Sequence, residues 1–418
     1  MAGKTLRILH FADAHIDIAS QRRRDPESGL PIRVLDFLKA LDTIIDTAIQ
    51  EKVDLVLFAG DAYKDRTPVP TYQREWGRRI MRLSQAGIPT LLLVGNHDLP
   101  PAASRANALQ EFDTLEVPHI RVLSKPVFLK PADLEELPLQ VIALPWISRS
   151  GMVASLAAGD EPAGNVLEAI EKRVTEIVSQ WLDKADPSIP IILTAHGMVQ
   201  GAQFGSERTI SLGSDLVLPG RVVKDPRLAY TALGHVHRYQ DLNAGSQPPV
   251  VYPGSIERVD FGEVEDEKGF VIAAVEYGKA TLIERRILKG RPFLDRYVQC
   301  DSAEDIPRKI QQALPPEEEI KDSIFRLTLN YPRSLEPMID ETAIRAAAGS
   351  ALEFHLVRKV RVEARSRVGD TLNLSGQSIL EQLNAYWRTS KVDAADQEEL
   401  NGLAQSIFST VDGIPDGT

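Results

Sequence analysis

Residues 6–17 read LRILHFADAHID. Leu6–Ala12 is an apolar run interrupted only by Arg7 and His10, and it stops at Asp13, Ala14 and His15. A short run rich in Leu and Ile that ends in polar residues is the pattern of an interior strand whose carboxyl end opens onto a cleft. The pattern recurs along the chain. Val53–Ala59 ends in Gly60-Asp61, and Thr90–Val94 in Gly95-Asn96-His97-Asp98. Ile191–His196 ends in its own histidine, and Tyr230–His235 continues into Val236-His237. Between these runs, residues 33–50 carry Val34, Phe37, Leu38, Leu41, Ile44, Ile45, Ala48 and Ile49 at helical spacing. A second amphipathic stretch surrounds Trp76, Ile80 and Leu83. A third, at 165–183, places Val166, Ile170, Val174, Ile177, Val178 and Trp181 on one face. The reading predicts strands buried on both faces by helices.

From about 250 to 289 the pattern changes to strands and turns without helices, so the core is expected to be β-layered. The fold class that results is α/β, a layered β-sandwich core flanked by helices, over residues 1–289. Around Gly290–Pro292 the chain restarts as strand, helix (Asp305–Leu314), strand (Ser323–Leu329), helix (Ile339–Ala348) and strand (Leu356–Ala364). This predicts a smaller α+β domain over 290–368. Residues 369–418 hold two amphipathic helices, roughly 376–388 and 394–410, too small for a core of their own and suited to docking on something else.

The 418 residues exceed one ordinary core. Hydrophobic and charged contents of 43% and 26% are those of a globular protein. No window approaches the roughly 18 uninterrupted apolar residues that a membrane helix needs. The N-terminus lacks a signal-peptide layout, and the single cysteine, Cys300, excludes an intramolecular disulfide and a thiolate cluster. A cytoplasmic protein is expected. The net charge of −11 argues against tight autonomous binding of nucleic acid, although bound cations would offset it locally.

The polar residues at the strand ends are Asp13, His15, Asp61, Asn96, His97, Asp98, His196, His235 and His237. They are nitrogen and oxygen ligands without sulfur, suited to manganese, iron or zinc. Asp61 can use both carboxylate oxygens and so bridge two cations. In a pair about 3.5–4 Å apart, one ion activates a water while both clamp a phosphoryl group. Gly60 and Gly95 are expected to let the backbone turn sharply before Asp61 and Asn96. An isolated Asp-x-His is usually an ordinary loop and GNHD an ordinary turn; all of them in order, each closing an apolar run, are not. His10 lies inside a strand and reads as a satisfied core histidine, and His119 and His355 have no assigned role. The basic groups Arg22–Arg23–Arg24 and Arg358, Lys359, Arg361, Arg365 and Arg367 are either solvated or face a phosphate backbone.

These motifs resemble the calcineurin-like metallophosphoesterase superfamily, whose signature is D-x-H, GD, GNH(D/E), H and GHxH. LRILHFADAHID, GNHDLPPAASRANAL and YPGSIERVDFGEVEDEKGFV (252–271) resemble its SbcD branch of double-strand-break repair exonucleases. The resemblance implies a manganese-dependent DNA exonuclease and endonuclease. Its first metal would lie on Asp13, His15, Asp61 and His237, and its second on Asp61, Asn96, His196 and His235. His97 would stabilise the transition state or protonate the leaving oxygen, with Asp98 orienting it through its other ring N–H. The small domain would be a DNA-contacting cap. Helices near 70–85 and 103–115 would form a homodimer, and the C-terminal helices would bind an SMC-like ATPase, SbcC, in a heterotetramer. Lys64 departs from a histidine found in some relatives three residues after the bridging aspartate, which leaves the exonuclease/endonuclease balance open. Two rival readings remain: a phosphodiesterase for a small nucleotide, and a catalytically silent scaffold for the ATPase.

Overall fold

A computed structural model of the chain describes residues 4–16, 23–100, 106–146, 166–203, 217–361, 379–389 and 392–411. Two compact units are present. The first comprises Met1–Asp295 with Glu317–Phe325 and Ser350–Glu353; the second comprises Arg296–Pro316, Arg326–Gly349 and Phe354–Thr418.

The first unit begins with β1 (Leu6–Phe11), α1 (Ile32–Gln50), β2 (Leu55–Phe58), α2 (Pro70–Gln85) and β3 (Thr90–Leu93). A single helical turn, Glu111–Thr114, leads to β4 (Ile120–Leu123), β5 (Val127–Leu129) and β6 (Gln140–Leu144). Then come α3 (Val166–Lys184), β7 (Ile191–His196), the short pair β8 (Met198–Val199) and β9 (Val217–Leu218), and β10 (Tyr230–Gly234). The strands β11 (Gln240–Asp241), β12 (Val250–Tyr252), β13 (Gly269–Val275) and β14 (Leu282–Ile287) follow.

Two six-stranded sheets result, in the orders β14-β13-β1-β2-β3-β4 and β11-β12-β10-β7-β6-β5. Strands β1 to β4 are parallel in the first, and β6, β7, β10 and β12 are parallel in the second. Within each sheet the metal-type motifs therefore leave their strands at the same end, as parallel pairing demands.

The period of two along β1 sorts its side chains. Leu6 and Ile8 join Leu55, Leu57, Leu91 and Leu93 in a core shared with Val141, Ala143, Ile192, Tyr230, Ala232 and Val251 of the opposite sheet. Leu9 and Phe11 turn the other way, into a core with α1, Trp76 and Ile80 of α2. The outer face of the second sheet packs on Ile170, Val174, Val178 and Leu182 of α3. One face meets helices and the other meets the second sheet, which is the layered β-sandwich flanked by helices expected from the sequence; the narrower reading of these strands as covered by helices on both faces is corrected. Burial of both faces reads the same in sequence whichever partner supplies it. His10 is a satisfied core histidine, its Nδ1 2.9 Å from Tyr230 Oη and its Nε2 3.1 Å from the Leu233 carbonyl.

In the second unit and its lead-in, a three-stranded sheet runs β15 (Phe293–Gln299), β16 (Ile324–Pro332), β17 (Glu353–Arg361) in that order of pairing. Helices α4 (Asp305–Ala313) and α5 (Glu341–Ala347) lie between the strands in sequence, and α6 (Ile379–Thr389) and α7 (Ala394–Val411) close it. On β17, Arg358 pairs with Glu341 and Arg361 with Asp301; Arg365 and Arg367 lie outside the described residues. Arg23 and Arg24 donate to the carbonyls of Ala351 and Gly29, and Arg22 is likewise outside. No helix among the described residues is long and apolar enough to cross a membrane.

Candidate metal centre

Each strand end contributes a loop that holds its neighbours. The Asp13 N–H donates to the Gly60 carbonyl at 2.9 Å and the His15 N–H to the Asp61 carbonyl at 3.1 Å, so the first two motifs are laced together by backbone. Asp13, His15, Asp61 and His235 have φ of 52°, 41°, 64° and 103°. Left-handed backbone at non-glycine residues costs about 1–3 kcal/mol each and gathers at functional sites. Gly60, with φ of 103°, fits the sharp turn expected of it. Gly95 is needed for another reason: a Cβ there would overlap Asp61 Oδ1 and lie 2.9 Å from its Cγ.

The side chains converge into three ligand groups whose atoms lie within 4.8 Å of one another. These are Asp13, His15 and His237; His15, Asp61 and His97; and Asp61, His196 and His235. Asn96 joins the last, its Oδ1 3.0 Å from His196 Nε2 and 3.1 Å from His235 Nδ1. His15 Nε2 and His237 Nε2 face each other at 2.9 Å. Asp61 Oδ2 lies 3.3 Å from His196 Nε2 and 3.9 Å from His15 Nε2, between the groups. Eight of the nine sequence-predicted residues therefore come to one place, and Asp98 lies beside them.

Charge balance tests whether this set fits cations. Asp13 and Asp61 are buried, and among the described residues neither pairs with a lysine or arginine. Burial pushes Asp13 up to about 6 against the charges of His196 and His237. Burial would also raise Asp61, but the charge and hydrogen bond of His196, with His97 and His15, hold it well below the usual carboxylate range. Burial and then the charge of His237 keep His15 well below its ordinary value, and burial and His196 bring His235 to about 3. At His196 burial is outweighed by Asp61, which lifts the ring to about 9. Two buried carboxylates thus lie among rings of which burial keeps His15 and His235 neutral, a set whose negative charge divalent cations would balance. Among the described residues, His15 Nδ1 is also buried without a hydrogen-bond partner. The residues fit metal.

Ring nitrogens facing away from the cage are held by acceptors. The Ala59 carbonyl lies 2.6 Å from His196 Nδ1, and Glu263 Oε1 lies 2.7 Å from His237 Nδ1. Carbonyl and carboxylate oxygens only accept, so those nitrogens carry the proton and leave Nε2 as the ligating atom. His97 Nδ1 faces the Lys64 carbonyl. The expectation that Asp98 orients His97 is corrected by this contact. Asp98 Oδ2 instead accepts the Asp61 and Gly95 N–H groups, and Oδ1 the Ala62 N–H, each at 2.9 Å. A buried carboxylate is drawn to the three backbone donors of the folded GD and GN turns.

The calcineurin-like phosphoesterase model matches residues 6–239, more than half of the chain and every motif that supplies the metal centre. The chain belongs to this family. It is accordingly a metal-dependent phosphoesterase, and the family implies divalent ions at the centre. The phosphoesterase is 28% identical over 370 residues to the D subunit of the SbcCD nuclease from Rhodobacter capsulatus, covering 84% of this chain and 86% of that one. It is 25% identical to the D subunit of the SbcCD nuclease from Escherichia coli K12, with 98% and 99% covered. Against the DNA double-strand break repair protein Mre11 of Archaeoglobus fulgidus it is 23% identical, with 74% and 65% covered.

Sequence reasoning missed two members of the phosphoesterase site, Glu263 and Lys268, which are buried behind His237. They sit in the acidic stretch GEVEDEKG (262–269), whose other charges are more exposed. A charge run reads as a solvated loop.

Proposed function

We propose that this chain is a manganese-dependent DNA nuclease, acting as 3′–5′ exonuclease and endonuclease on duplex ends or hairpins within an SbcCD-type repair complex. Support comes from relatives carrying that name, matched along most of their length. The observation that carries the reading is the pair of ligand groups meeting at Asp61. One cation would rest on Asp13, His15, Asp61 and His237, the other on Asp61, Asn96, His196 and His235. Two cations there would supply Lewis-acid chemistry, lowering the pKa of a bound water and neutralising phosphoryl charge. The chain's own side chains do the rest. His97, its Nδ1 against the Lys64 carbonyl, presents Nε2 to protonate the leaving oxygen or stabilise the charge that develops on phosphorus oxygens. Asp98 is a positioning residue for the Asp61 and Gly95 turns.

The reading divides the chain into a nuclease domain (1–289), a DNA-contacting cap (290–368) and C-terminal helices (369–418) that bind the SMC-like ATPase SbcC. Two nuclease chains would pair through α2 (Pro70–Gln85) and the segment 103–115, expected as a helix but helical among the described residues only at Glu111–Thr114, in a cytoplasmic heterotetramer; residues 101–105, 362–378, 390–391 and 412–418 lie outside the described residues.

The test is cleavage of end-labelled duplex DNA by the purified chain with manganese, against magnesium, EDTA and His97→Ala. Manganese-dependent degradation that falls about 100-fold or more in the variant is expected. Turnover of bis-p-nitrophenyl phosphate without DNA cleavage, alone or with the ATPase, would favour a small-nucleotide phosphodiesterase. Bound metal with no turnover of either would favour a scaffold.

A further inference from the structure

The segment 252–271 lies beyond the residues that the family model matches, yet it places two fully buried charges against one of the family's motif histidines. Glu263 and Lys268 are 0% and 1% exposed. Glu263 Oε1 lies 2.7 Å from His237 Nδ1, while Oε2 takes the Lys268 ammonium at 2.8 Å and the Val259 N–H at 2.9 Å. Lys268 Nζ also donates to the His237 carbonyl at 3.0 Å, and the Ser255 N–H donates to the same oxygen at 3.0 Å. His237 is therefore held at its ring and at its backbone by one short segment. Burying an ion pair for packing alone is a poor device, since apolar residues of similar volume usually serve as well or better. This pair ends on a ring whose other nitrogen faces His15 Nε2.

We propose that Glu263 is a positioning residue for the metal centre, fixing His237 as the Nδ1–H tautomer so that Nε2 keeps its lone pair for a cation. Lys268 is the second half of the device. With the Val259 N–H it occupies Oε2, so that Oε1 is the oxygen left to His237, and through the His237 carbonyl it stops the residue from sliding. The inference rests on the metal-centre reading above and is independent of what the substrate is. It makes a directional claim: Glu263 acts on the side of the centre built from Asp13, His15 and His237, not on the side built from Asn96, His196 and His235.

Glu263→Gln separates positioning from bulk. The amide has one acceptor oxygen, and two donors, the Lys268 ammonium and the Val259 N–H, draw it to the Oε2 position. Its NH2 then faces His237 Nδ1 and forces the lone pair there, which sends the ring proton to Nε2, toward the metal. Manganese binding to the full chain is read by calorimetry and by electron paramagnetic resonance. The wild type is expected to take two ions. The variant should lose about 10–100-fold in affinity at one site and stay within about threefold at the other, with the spin-coupled pair signal replaced by that of a single ion. Retention of the second ion shows that the variant is folded. Two ions bound as in the wild type would overturn the proposal, as would equal weakening of both sites. Failure of the wild type to bind two ions would instead overturn the metal-centre reading. A variant that does not fold moves the test to the wild type: ring nitrogen shifts of histidine-labelled, metal-free protein must show His237 as the Nδ1–H tautomer, and an Nε2–H ring would sink the idea.

Discussion

Asp98→Ala tests whether this carboxylate is a structural clasp or a partner of His97. The side chain is buried and accepts three backbone N–H bonds at 2.9 Å, from Asp61, Ala62 and Gly95. Its removal orphans three buried donors at about 1–3 kcal/mol each, or roughly 3–9 kcal/mol together. Part of that is returned. Burial, and then the Asp61 charge, raise Asp98 from 3.8 to about 6, which corresponds to about 3 kcal/mol of unfavourable burial that the variant no longer carries. A water in the vacated space can satisfy one or two of the donors. The net expectation is a loss of up to about 5 kcal/mol. Urea unfolding of chelator-treated protein, followed by the fluorescence of Trp76, Trp146 and Trp181, measures it without the contribution of metal. Asp98→Asn keeps one acceptor oxygen and should fall between the variant and the wild type. A loss below about 1 kcal/mol for Asp98→Ala, together with a shifted pH profile of hydrolysis, would refute the clasp and restore the role of orienting His97.

Three further outcomes are expected. Gly95→Ala drives a methyl group into the Asp61 carboxylate; overpacking of this kind costs about 1–3 kcal/mol, and equilibrium dialysis should show manganese binding weakened at both sites, whereas unchanged stoichiometry and affinity would contradict the shared position of Asp61. Manganese at about 100 times its dissociation constant should stabilise the chain by about 2.7 kcal/mol per bound ion in thermal unfolding, with reversal by EDTA; no shift would count against a built site. His10, buried between the sheets, is lowered from 6.5 to about 3 by burial. Below pH 6.5 the unfolded chain takes up a proton there that the native chain refuses, so native stability falls as pH drops from 6.5 toward 3, by about 2 kcal/mol at pH 5. His10→Gln should flatten that part of the stability profile, and an unaltered slope in urea titrations between pH 5 and 7 would refute the assignment.

Much of the centre was legible in the chain because its chemistry is local. Asp13, His15, Asp61, Asn96, His196, His235 and His237 each follow an apolar run, and parallel strands deliver such positions to one edge whatever their order. The helices at 32–50 and 70–85 were legible for the same reason, as a periodicity set by a few neighbouring residues. Tertiary structure alone decided what each buried group meets. The apolar run of β1 marks Leu6 and Ile8 as buried, and the strand-rich stretch 250–289 points to a β-layered core, but neither says which residues of the second sheet cover them. Asp98 sits one residue from His97 in sequence, yet its oxygens go to turns up to 37 residues away. Glu263 and Lys268 are charges among charges until the fold carries them under His237, 26 and 31 residues back along the chain. Local patterning encodes whether a side chain leaves water. The partner that satisfies it there comes from another strand or loop, and only the closed fold brings the two together.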